Sequence, residues 1–122
     1  MNFVWSSSDI ATETITISES SITLNKAACH YFEDVNYVLL GIDYQAHQIG
    51  IKPIHDQEIQ QNLYPKSQLH HISIGKSYAR ITSKTFIQDL IQTFHLDLTT
   101  NLKLEGHFDV IHQIFIISIK EE

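Results

Sequence analysis

Two similar segments constrain the fold more than any other feature: DYQAHQIGI in the middle of the chain and DVIHQIFI near its end. In each segment an Asp opens a short turn, and isoleucines then stand at alternating positions. Alternating apolar residues on either side of a turn are typical of a β-hairpin with one buried face. The sequence therefore predicts two similar hairpins in one chain, with His47 and His112 in equivalent turns.

The elements that precede these hairpins also follow the same order. Each half predicts two short strands, a helix that starts after an N-cap residue, and then the hairpin. The predicted N-caps are Asn25 and Ser83, followed by KAACHYF and KTFIQDLIQTF. The predicted parts of the chain are an N-terminal extension (1–12), a first repeat (13–54), a connector (55–69) and a second repeat (70–122).

An internal duplication would fix the architecture. A unit of about forty residues is too small to bury its own apolar face, so two copies would have to share one core. We therefore expect one α+β, mainly β domain in which two β-β-α-β-β units exchange strands in a pseudo-two-fold barrel. The alternative is that two hairpins with isoleucine-rich arms resemble one another by chance.

Composition narrows the functional classes. The 122 residues carry a formal charge of -6, which repels phosphate backbones at long range, so any nucleic-acid site has to be local. The apolar runs are too short to span a bilayer, and the first residues lack the pattern of a signal peptide, so we expect a cytoplasmic protein without membrane contact. Cys29 is the only cysteine, which excludes an internal disulfide.

Several short segments resemble the AbrB/SpoVT family of swapped-hairpin barrels. They are SITLNKAA, VLLGID and IGIKP in the first half and HISIGKSYARITSKTFI in the second. In that family two chains interleave their hairpins into one barrel, so the resemblance implies that this single chain supplies both copies. It also implies a non-enzymatic DNA-binding transcription regulator or antitoxin-like protein.

Basic residues near the first hairpin of each half are the DNA-binding candidates that the resemblance implies. Lysine and arginine bind phosphates by releasing counterions, and arginine can also pair with guanine edges. The candidates are Lys26, Lys76, Arg80 and Lys84. Most of them lie in the second half. In the first half, Glu19 stands at the position that corresponds to Lys76. The same four residues could equally be solvated surface cations.

The sequence offers little support for an enzyme or for a cofactor. The histidines lack the spacing of a metal site, and Cys29 shares a helical face with Ala28 and Phe32, which predicts a buried thiol. Gly75-Lys76-Ser77 ends like a phosphate loop, but His70 stands at the position of the first glycine of that pattern. We expect no catalytic residue, metal or cofactor.

A second function stays open beside DNA binding. The acidic charge and the unequal supply of cations favour a protein–protein interaction or assembly module that binds no nucleic acid. The chain would then act as a monomer or homodimer with a protein partner. Phe3 and Trp5 lie before the first repeat, where they could pack on the barrel or dock onto a partner.

Overall fold

The computed structural model describes residues 2–3 and 12–119. Within these residues the chain forms eight strands, three short α-helices and two 3-10 turns. The strands are β1 (Thr14–Ile17), β2 (Ser21–Asn25), β3 (Tyr37–Asp43), β4 (Gln48–Ile54), β5 (His70–Ile74), β6 (Tyr78–Thr82), β7 (Leu102–Asp109) and β8 (Ile114–Ser118). The α-helices are α1 (Lys26–Cys29), α2 (Asp56–Gln60) and α3 (Lys84–Phe94), and the 3-10 turns are His30–Phe32 and Lys66–Gln68.

The strands close into one antiparallel barrel with the order β1-β2-β6-β5-β3-β4-β8-β7. Alternate side chains of each strand point inward, because successive residues of a strand face opposite sides of the sheet. Ile15 and Ile17 of β1, Leu24 of β2, and Ile49 and Ile51 of β4 are completely buried in the barrel. The expectation of an α+β, mainly β fold is confirmed.

Every strand of the first half has a neighbour from the second half. β2 pairs with β6 and β4 pairs with β8, while β1 pairs with β7 and β3 pairs with β5. The cyclic order of the strands is unchanged when β1–β4 are exchanged with β5–β8. Neither half could form the barrel by itself, since each contributes strands to both sides of the core.

Two of the three helices, α1 and α3, begin at the N-caps that the sequence predicts. The side chain of Asn25 accepts a hydrogen bond from the backbone N–H of Ala28 at 2.9 Å, and the Ser83 hydroxyl accepts one from Phe86 at 3.3 Å. These bonds satisfy amides that have no partner within the helix. One face of α3 is apolar, with Phe86, Ile87, Leu90 and Phe94 buried and Ile91 half-buried.

Cys29 lies at the end of α1, where it is buried against the barrel core as expected. Burial raises the pKa of its thiol, and the negative charge of Glu33 raises it further. A thiol with a raised pKa carries little thiolate at neutral pH, and the thiolate is the nucleophilic form. Cys29 is therefore a packing residue in this fold.

The two long hairpins turn in the same way. Asp43 and Asp109 each accept hydrogen bonds from the two backbone amides that lie two and three residues later, at 3.0 to 3.2 Å. The residue with positive φ is His47 in the first turn and Gln113 in the second. His112 therefore takes the position of Ala46. The turns are equivalent as predicted, and His47 and His112 lie in them at positions that differ by one residue.

The segment before the barrel is only partly described. Phe3 is 64% exposed, while Trp5 lies outside the described residues, so its predicted packing or docking role has no structural counterpart here. Among the described residues, no helix is long and apolar enough to cross a membrane.

Two strand glycines differ sharply in the space around them, and they provide a matched test of the barrel packing. A Cβ added to Gly106 would lie 2.7 Å from Cε2 of the buried Phe115 ring and 2.9 Å from the Ile116 carbonyl oxygen, whereas nothing lies within 4 Å of one added to Gly41. We expect Gly106→Ala to lower the free energy of unfolding by about 1–3 kcal/mol through overpacking. Gly41→Ala should change it by less than about 1 kcal/mol. Urea unfolding of both variants checks this, and equal losses would contradict the packing described for β7 and β8.

Candidate nucleic-acid interface

Strands β2 and β6 are neighbours in the barrel, and the outer face of this pair carries polar side chains. Thr23 of β2 lies directly opposite Arg80 of β6, and Asn25 lies opposite Tyr78. Their neighbours in each strand, such as Leu24 and Ala79, are fully buried. The same alternation that buries the residues between them therefore places Tyr78, Arg80 and Thr82 in one row on the solvent-facing side of β6.

The four predicted cations all lie along this β2–β6 pair, which we call the basic strip. Lys26 begins α1 directly after β2, and Lys76 lies in the β5–β6 turn at the same end of the pair. Arg80 occupies the middle of β6, and Lys84 begins α3 at the opposite end. All four side chains are exposed. At about 3.3 Å per residue, the strip extends for about 20 Å along the strands.

Arg80 is placed by its strand neighbours. Its guanidinium carbon lies 5.7 Å from the centroid of the Tyr78 ring, two residues earlier on the same face of β6. A cation over an aromatic ring at this distance is attracted by the electrons of the ring face. The contact favours an Arg80 side chain that lies along the strand surface, next to Tyr78.

The charges on the strip are unequal at its two ends. Glu19 lies in the turn between β1 and β2, and it lines a shallow groove together with Lys84. The Ser83 backbone N–H donates to the Ser20 carbonyl at 3.1 Å, which ties this turn to the start of α3. A carboxylate near Lys84 weakens the attraction of that lysine for a phosphate. Lys26 and Lys76 lie at the other end, where Glu105 of β7 pairs with Thr14, next to Asn25 and Tyr78.

One further cation lies next to the strip and was missed from the sequence. Lys103 of β7 pairs with Thr16 of β1, and Thr16 in turn pairs with Thr23 of β2. Lys103, Thr16, Thr23 and Arg80 consequently form one row across four neighbouring strands. The alternation in LKLEG indicated that Lys103 points outward, but only the β1–β7 pairing brings it to the side of the barrel that carries Arg80.

The barrel also has an open groove of about 650 Å³ on another side. β5 pairs with only Tyr37 and Val38 of β3, so the described part of the chain provides no strand partner on that side for residues 39–43. The groove lies beside this free edge. Its lining includes Leu39 and Gly41 of β3, Lys52 of β4, His70 of β5, and Thr85 and Asp89 of α3.

The corresponding seam between β1 and β7 is closed by an aromatic side chain. Tyr31 is the sixth residue after the N-cap Asn25, and its ring stacks on Phe108 of β7 with centroids 4.2 Å apart. The Tyr31 hydroxyl donates a hydrogen bond to Glu13. The sixth residue after the N-cap Ser83 is Asp89, which is too short and too polar to fill the other seam. The two seams also differ in strand pairing, since four residues of β1 pair with β7 and only two residues of β3 pair with β5.

The histidines are dispersed in the described structure. His70 faces the groove and is half-buried, and desolvation lowers its pKa, whereas the next residue, His71, is exposed on the outer face of β5. The two side chains point to opposite faces of β5, as successive residues of a strand do. Residues 2–3 and 12–119 contain no group of three or more His, Cys, Asp or Glu side chains that could hold a metal ion.

Comparison with known proteins returned no family: no family model matches the chain, and neither a curated protein nor a solved structure shows significant similarity to it.

The bond between Tyr31 and Glu13 predicts a specific dependence of stability on alkaline pH. Chiefly because of this hydrogen bond, the pKa of Tyr31 is raised to about 12 in the folded protein, from an ordinary value of 10.0. A raised pKa means that the bond contributes to stability below about pH 10 and that the contribution is lost as the pH rises to about 12. We expect Tyr31→Phe to lower the free energy of unfolding by about 1 kcal/mol at neutral pH.

The difference between Tyr31→Phe and the unchanged protein should shrink between about pH 10 and pH 12. Urea unfolding at a series of pH values measures it, and the difference in tyrosinate absorbance between the unchanged protein and Tyr31→Phe separates the titration of Tyr31 from that of the other four tyrosines. A difference that stays constant over this range would contradict the role given to the Tyr31–Glu13 bond.

Proposed function

We propose that this protein is a non-enzymatic DNA-binding protein, of the AbrB-like transcription regulator or antitoxin-like kind, that contacts DNA through the basic strip. The observation that supports this most directly is the position of Lys26, Lys76, Arg80 and Lys84 along one pair of strands. Cations in a row of about 20 Å can follow a phosphate backbone, which carries its charges at regular intervals. Scattered cations would not have favoured this function.

The strand order supports the swapped-hairpin part of the proposal. In our interpretation the chain is an internal duplication, with β1–β4 and β5–β8 as the two copies. The equivalent Asp43 and Asp109 turns, the N-caps Asn25 and Ser83, and the exchange of strands between halves all agree with it. Glu19 and Lys76 occupy matching turns, so the two copies differ in charge where each would meet DNA.

The overall charge of -6 does not prevent local binding, but it limits its strength. Charges farther apart than about 8 Å are largely screened at physiological ionic strength, so a phosphate on the strip responds mainly to its nearest neighbours. At low salt the acidic remainder of the protein repels the duplex more strongly. We therefore expect weak binding to random duplexes and a second-half contact that dominates the affinity.

A paired substitution tests the strip against the rest of the surface. We expect Lys76→Ala combined with Arg80→Ala to weaken duplex binding at low salt by about tenfold or more. The slope of log affinity against log salt should fall by about 0.9 for each phosphate that the variant no longer binds. Fluorescence anisotropy with a labelled duplex across a salt series measures both quantities.

Lys66→Ala provides the matched control, because Lys66 is an exposed lysine in the connector, outside the strip. It removes one positive charge without touching β2 or β6. Equal losses of affinity in Lys66→Ala and in single Lys76→Ala would mean that net charge alone governs binding. Absence of duplex binding at low salt, with folding verified by circular dichroism, would remove the DNA-regulator proposal.

The free edge of β3 favours a second function, that of an assembly module. An unpaired strand edge can add a strand from another chain, and two-fold pairing of the same edge gives a closed dimer. Lys52 and Asp89 both line the groove beside this edge, so two copies would bring opposite charges together. In this proposal the partner on β3 is a second copy of the chain.

Closing the groove tests the assembly proposal. We expect Asp89→Tyr to place a ring in the β3–β5 seam, as Tyr31 does in the other seam, and to leave the protein monomeric. Sedimentation velocity across a concentration series should show dimers of the unchanged protein and of the control Gln92→Tyr, whose exposed side chain lies on α3 away from the groove lining. A monomer at every concentration of the unchanged protein would refute it.

A further inference from the structure

The basic strip carries an exposed aromatic side chain as well as cations. Tyr78 is 46% exposed on the outer face of β6, and the Arg80 guanidinium carbon lies 5.7 Å from its ring centroid. Aromatic rings and guanidinium planes are the two kinds of side chain on which unpaired bases stack. Tyr78 and Arg80 thus place two such surfaces next to each other on the outer face of β6.

A pair of aromatic rings lies on the same side of the barrel. By the β5–β6 register, Ser73 lies opposite Arg80 and Ile72 opposite Ile81, so the ladder continues to His71 beside Thr82. His71 is exposed, and its ring meets Tyr37 of β3 edge-on with centroids 5.8 Å apart. Tyr78, Arg80 and the His71–Tyr37 pair therefore follow one diagonal path across β6, β5 and β3.

The spacing along this path distinguishes unpaired from paired bases. Successive outward residues of a strand are about 6.6 Å apart, because each residue rises about 3.3 Å. Bases in a duplex are stacked at about 3.4 Å per strand and their faces are covered by their neighbours. A ring on the strip can reach a base face only after the base has separated from its neighbours, as it can in a single strand.

We propose that the basic strip takes single-stranded nucleic acid and holds it more tightly than a duplex of the same sequence. Tyr78, Arg80 and His71 stack on bases, while Lys26 and Lys76 contact the adjacent phosphates. This inference rests on the proposed nucleic-acid function and names its ligand class. Both DNA and RNA single strands offer the bases and phosphates that the strip would contact.

The stacking part of the interaction has a separate signature from the charge part. Removal of a lysine that binds a phosphate lowers the salt dependence, whereas removal of a stacking ring lowers the affinity and leaves the salt slope nearly unchanged. Tyr78→Phe keeps the ring and removes only the hydroxyl, so it is the matched control for Tyr78→Ala. The two variants separate stacking from any structural role of the aromatic side chain.

The test compares four labelled probes by fluorescence anisotropy: an oligo-dT, an oligo-U, a mixed-sequence single strand and the duplex of that mixed sequence. We expect the single strands to bind at least about tenfold more tightly than the duplex. Tyr78→Ala should weaken single-strand binding by about five- to 150-fold, the range for one stacked base, while its salt slope changes by less than the value for one phosphate. Tyr78→Phe should bind like the unchanged protein, and oligo-dT against oligo-U tells DNA from RNA.

The possible results separate the two proposals. Single-strand binding without duplex binding supports this inference and removes the duplex regulator. Equal binding of single strand and duplex, or an unchanged affinity in folded Tyr78→Ala, overturns the inference and leaves DNA binding in place. Failure of every probe to bind the folded protein at low salt overturns both.

Discussion

Closure of the barrel through strands of opposite halves is the constraint on which the rest of this structure depends. The pairs β1–β7 and β3–β5 join segments that lie far apart in the sequence, and they convert two small sheets into one enclosed core. Fully burying an isoleucine contributes about 1.5–3 kcal/mol, but only when both faces of the core are covered. Ile15 and Ile72, one from each half, are buried only because the halves interlock.

The two halves contribute strands to the barrel in a corresponding order and carry different side chains at comparable positions. At the sixth position after each N-cap, Tyr31 stacks on Phe108 in one seam of the barrel, and Asp89 lines the groove in the other seam beside β3. At the matching hairpin turns, Glu19 and Lys76 give opposite charges. Outward residues can differ between the two halves without any change in the inward residues that form the core, because successive residues of a strand face opposite sides of the sheet.

The net charge of this protein differs in sign from the charge of the surface that carries Arg80. An excess of acidic residues argues against a nucleic-acid ligand when the whole chain is averaged. The barrel, however, collects cations from a helix start, a turn, and the outer faces of β6 and β7 on one side. Salt screens charges over distances shorter than the width of the barrel. A ligand bound on this side therefore responds more to the nearby cations than to the net charge.

The sequence by itself determined the elements and their inward faces. Alternating isoleucines, the N-caps Asn25 and Ser83, and the helical stripe of α3 are local signals, since each depends on residues only two to four positions apart. The burial of Cys29 followed from the same periodicity.

Only the tertiary structure decided which of these elements meet. The register of β1 on β7 brings Lys103 to the strip, and the short β3–β5 ladder opens the groove that holds Lys52, His70 and Asp89. Neither register can be predicted from a local sequence pattern, because the two paired strands lie in different halves of the chain. The sequence thus determined which side of each strand faces solvent, and strand pairing decided which of those exposed residues share a surface.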